Sequence, residues 1–124
     1  MSEDIDNLLS LIAATIFADK RIYASEIETF IDTTASLKLT QRLDPNISES
    51  KLMTWYENNK AEIQDKLSTP YFKDWFYGLL DKLTHVRGKE TVLDVMRKIA
   101  SADGEVHVSE RALVTLTERY WGLN

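Results

Sequence analysis

The chain has no cysteine among its 124 residues, which excludes disulfides, thiolate nucleophiles and Cys-ligated zinc. It has only two prolines and four glycines, so few positions break a regular element and no Gly-rich phosphate loop exists. No apolar run approaches the ~20 residues of a membrane span. There is no excess of positive charge: the net charge is −5 and the pI about 5.0. Lysines and arginines are scattered, never more than two in a row. Phosphate binding needs a concentrated positive field, so nucleic acid is not expected as a partner. The two histidines, His85 and His107, stand in no His-Glu-x-x-His pattern, and no Gly-x-Ser-x-Gly elbow occurs. The opening Met-Ser-Glu-Asp-Ile-Asp is acidic where a signal peptide is basic and then apolar, so a cytoplasmic location is expected.

The pattern that is present is helical. Ile5, Leu8, Leu9, Ile12 and Ile16 form a stripe that Leu11, Ala14 and Ala18 widen, predicting a central helix over about Asp4–Ala18. Ile27, Phe30, Ile31 and Leu37 predict a second, about Ala24–Leu37. Lys38–Ser48, with Asp44-Pro45-Asn46, reads as a loop or short helical turn. Ser48 is an N-cap for a helix carrying Leu52, Trp55, Tyr56, Ile63 and Leu67, which Asn58-Asn59 is expected to bend or break. Thr69 as N-cap and Pro70 as first residue then start a helix with the stripe Phe72, Trp75, Phe76, Leu79, Leu80 and Leu83. After Gly88 come Val92, Val95, Met96, Ile99 and Ala100, then a last helix over about Val108–Tyr120 using Leu113, Leu116 and Tyr120. Trp121-Gly122-Leu123 is expected to fold back on the core. The expected fold is all-α: one domain, 1–124, a compact bundle of six to seven helices. The dense aromatics from Trp55 to Tyr77 are core residues on this reading, with Tyr71 and Tyr77 as the candidates for a groove or self-association surface.

One acidic pattern occurs twice, 84 residues apart. Ala18-Asp19-Lys20-Arg21-Ile22-Tyr23-Ala24-Ser25-Glu26 matches Ala102-Asp103-Gly104-Glu105-Val106-His107-Val108-Ser109-Glu110. Asn7–Leu39 aligns with Thr91–Leu123 without a gap, and seven of the 33 positions are identical. Chance gives roughly two. The pattern therefore reads as two pseudo-repeated helix-turn-helix units, about 7–39 and 91–123.

Two readings of these turns stand side by side. Glu26 and Glu110 can sit at the third position of the following helix and reach back to the backbone N–H of Tyr23 or His107, and Ser25 with Glu28 offers a second capping box. That accounts for the glutamates without a ligand. The aspartates fit less well, because Asp19 and Asp103 each face the negative end of a helix macrodipole, which costs a few tenths of a kcal/mol. Together Asp19, Glu26, Asp103 and Glu110 form an oxygen donor set suited to a hard divalent cation such as calcium, magnesium or manganese. The second turn is no EF-hand, since Val108 and Val114 occupy the positions where that loop needs Gly and Glu. In the first turn Lys20 and Arg21 place two cations beside Asp19, so local ion pairing competes with a metal there.

These residues carry a resemblance. Ala102-Asp103-Gly104, with Glu110 seven positions after the Asp, and the same spacing from Asp19 to Glu26, is similar to the tellurite-resistance TerB-like family and to the related N-terminal domain of DjlA-type co-chaperones. The match covers roughly 7–39 and 88–123, and the first copy departs from the pattern at Lys20, where Gly is usual. The resemblance implies an all-α, cytoplasmic, non-enzymatic accessory protein of the tellurite and chemical-stress response. It implies binding through acidic surfaces to a divalent metal ion or a protein partner, often near the membrane, so peripheral membrane association stays open. Its acidic positions carry over to Asp19, Glu26, Asp103 and Glu110. The alternatives are a metal-dependent hydrolase using the same carboxylates, which lacks a nucleophile motif, and a structural protein-interaction module.

Overall fold

A computed structural model describes residues 3–18, 26–101 and 108–123. Within them lie seven helices and no strand: α1 (Glu3–Phe17), α2 (Glu26–Ser36), α3 (Lys38–Leu43), α4 (Glu49–Ser68), α5 (Phe72–Lys82), α6 (Lys89–Ser101) and α7 (Val108–Trp121). The fold is all-α, as the periodicity predicts.

Helix α1 is the axis. Its stripe residues Ile5, Leu8, Leu9, Ile12 and Ile16 are all buried, and so are Leu11, Ala13 and Ala14. A helix apolar on most sides needs neighbours on most sides, and α1 touches every other helix. Against it, Phe30 of α2 stacks on Trp55 of α4 with ring centroids 5.5 Å apart, and tilts against Tyr56 at 5.3 Å. Tyr56 in turn meets Phe17 at 5.8 Å. The one polar atom of the Trp55 ring is satisfied too: Nε1 donates to Asp6 Oδ1 over 2.7 Å. The buried hydroxyls of Thr15, Thr34 and Thr117 donate to carbonyls four residues back, Leu11, Phe30 and Leu113. That keeps these three buried hydroxyls paired inside the bundle.

Several boundaries differ from the sequence expectation. The 38–48 segment contains α3, and its Leu39 and Thr40 are buried. The helix stops at Asp44, which is extended (φ −142, ψ 90) because Pro45 disfavours helical backbone before it. Ser48 caps α4 as expected, accepting from Lys51 N at 3.2 Å. Asn58-Asn59 does not interrupt α4; Asn59 Nδ2 donates to the Trp55 carbonyl instead. Thr69 is not the cap of α5. Helix α4 runs through Ser68, so Thr69 closes it, donating to the Lys66 carbonyl at 2.9 Å, and α5 starts only at Phe72.

At the C-terminus the chain does fold back. Gly122, at φ +67, lets Leu123 N reach the Glu118 carbonyl (2.9 Å) and Gly122 N the Arg119 carbonyl (3.3 Å), the paired bonds of a Schellman closure. Trp121 packs on the core and donates to the Leu80 carbonyl at 3.1 Å. Of the aromatic cluster, Trp55, Tyr56 and Phe76 are buried, Phe72, Trp75 and Tyr77 partly so, and Tyr71 is 74% exposed. Tyr120, read from the sequence as core, lies on the surface. Its ring stacks on Tyr77 and its hydroxyl donates to Asp81 at 2.9 Å.

Candidate functional site

The acidic turns are carried by two helix pairs, α1 with α2 and α6 with α7. Asp19, Lys20 and Arg21 fall on residues 19–25, and Asp103, Glu105 and His107 on residues 102–107, outside the described residues. Glu26 is the first residue of α2 and Glu110 the third of α7; their side chains also lie outside the described residues, as do the caps expected at Tyr23, Ser25 and His107. Contacts among the described residues hold the helices that carry these turns.

The start of α1 and the approach to α6 meet directly. His85 Nε2 lies 3.1 Å from Asp4 Oδ2, four residues before α6 begins. Lys89, the first residue of α6, folds back to donate to the Thr84 carbonyl at 2.6 Å, so α6 begins close to that contact. Helix α6 packs on α1, and Leu8, Leu9 and Ile12 of α1 and Val92, Leu93 and Met96 of α6 are all buried. At 1.5 Å per residue α1 and α6 extend about 22 and 20 Å.

The partner helices pack on these two, α2 on α1 and α7 on α6. The end of α7 is pinned beside the last turn of α5 by Tyr120–Asp81 and Trp121–Leu80. That turn leads through residues 83–88 into α6, on which α7 packs. The first half of α2 is held near the end of α1 through the chain of rings Phe17–Tyr56–Phe30.

Electrostatics elsewhere on the described surface are local. Arg97 bridges Asp94 and Glu118 at 3.3 and 3.4 Å, joining α6 to α7. Arg42 donates to the Arg87 carbonyl and covers the Gly88 turn. By accepting the Tyr120 hydrogen bond, Asp81 raises that phenol above the usual tyrosine pKa; desolvation and the nearby negative charge push the same way. Among the described residues no three His, Asp or Glu side chains stand close enough to hold a metal ion. The turn carboxylates Asp19, Glu26, Asp103 and Glu110 lie outside that set. Sequence reading missed the Asp4–His85, Asp6–Trp55 and Asp81–Tyr120 contacts, none of which leaves a local spacing signal.

No curated protein and no solved structure matches the chain. A family model does: the one described as Tellurite resistance protein TerB matches residues 6–124. With essentially the whole chain matched, and an all-α architecture as the motif implied, the chain belongs to the TerB family of tellurite-resistance proteins.

Proposed function

We propose that this protein is a non-enzymatic accessory protein of the tellurite-resistance type whose two acidic turns act together as one divalent-cation site. Membership of the TerB family supports a tellurite-resistance-like role in general. The observation that supports the finer reading is the packing of α1 on α6, with Asp4 of α1 beside His85 just before α6. On this reading the turns that follow these two packed helices bring their carboxylates together. Asp19 and Asp103 would be the principal ligands and Glu26 and Glu110 the supporting ones. An all-oxygen donor set favours a hard cation over a thiophilic one. The second turn carries the greater share, because Gly104 and Glu105 stand where the first turn has Lys20 and Arg21. Bound there, an ion neutralises the aspartates that the helix C-termini otherwise oppose. A cytoplasmic location and a protein partner at the same acidic face accompany this reading; no described helix is long and apolar enough to cross a membrane.

Thermal unfolding followed during titration with Ca²⁺, Mg²⁺, Mn²⁺ and Zn²⁺ tests it, since a ligand that binds only the folded state must raise the midpoint. A rise with one of the hard cations that Asp103→Asn removes is expected. No rise with any ion at millimolar concentration would sink the metal reading.

A further inference from the structure

We draw no further inference here: the strongest candidate, the stacked tyrosine pair Tyr77 and Tyr120 between α5 and α7, is satisfied by its own stacking and by the Tyr120–Asp81 hydrogen bond, and nothing in the structure shows what covers it.

Discussion

His85 and Asp4 are 81 residues apart in sequence and 3.1 Å apart in space, and their contact joins the first turn of α1 to the segment that leads into α6. The pair is exposed, with His85 64% open to solvent. Exposed ion pairs contribute about 0–1 kcal/mol. The contact thus contributes little, and buried packing holds α6 against α1. His85→Ala is expected to cost under about 1 kcal/mol in urea unfolding. Leu93→Ala, which empties a fully buried position on α6, is expected to cost about 2–5 kcal/mol. Equal costs for the two variants would contradict this ranking.

The Trp55 ring makes two separable contacts, a stack on Phe30 and a hydrogen bond to Asp6. Asp6→Ala leaves the buried indole N–H without its acceptor, at a cost of about 1–3 kcal/mol. Asp6→Asn keeps an acceptor and is expected to retain much of that stability. Denaturant midpoints of the two variants check this, and a neutral Asp6→Ala would show that water replaces the carboxylate.

Glycine substitutions should separate by backbone conformation. Gly88 at φ +95 and Gly122 at φ +67 adopt left-handed backbone, so alanine is expected to cost about 1–2 kcal/mol at each. At Gly88 an added Cβ also comes within 3.3 Å of Arg42 Nη2. Gly78 lies inside α5, and a Cβ there meets nothing within 4 Å. Gly78→Ala should therefore stabilise by up to about 1 kcal/mol. Thermal midpoints moving in opposite directions confirm the contrast; a destabilising Gly78→Ala would break it.

The raised pKa of Tyr120 gives a pH-dependent contribution with a definite sign. A group whose folded pKa exceeds its unfolded value stabilises fully below the unfolded pKa, and that contribution is lost as pH rises through the folded one. The cause is the hydrogen bond to Asp81, so Tyr120→Phe should lessen the alkaline loss of stability and leave the slope at neutral pH unchanged. Unfolding free energies measured across alkaline pH read this directly. An alkaline slope identical in Tyr120→Phe would remove Tyr120 as its source.

The helices were legible because burial in this fold follows periodicity. Every residue of the Ile5–Ile16 stripe is buried, and so are Phe76, Leu79, Leu80 and Leu83. Helix α3 was less legible, since six residues are too few for a period to show. Thr69 was misread because a Thr-Pro step signals a helix start, and the extra length of α4 that overrides it depends on packing around Ile63 and Leu67. Tyr120 sits seven residues after buried Leu113, which spacing alone reads as core; its hydroxyl instead finds Asp81 at the surface. The carboxylates of the candidate site were legible as donors at Asp19, Glu26, Asp103 and Glu110. Their side chains lie outside the described residues, whereas the long-range contacts Asp4–His85 and Tyr120–Asp81, between residues 81 and 39 positions apart, leave no local signal to read.

Calorimetric titration of the full chain with the ion that raises its thermal midpoint, repeated on Asp19→Asn and Asp103→Asn, tests the composite site most directly. If both turns feed one site, the chain takes up one ion, Asp103→Asn abolishes uptake and Asp19→Asn weakens it at unchanged stoichiometry. Two ions per chain, with each variant losing one and keeping the other at full affinity, would contradict a shared site.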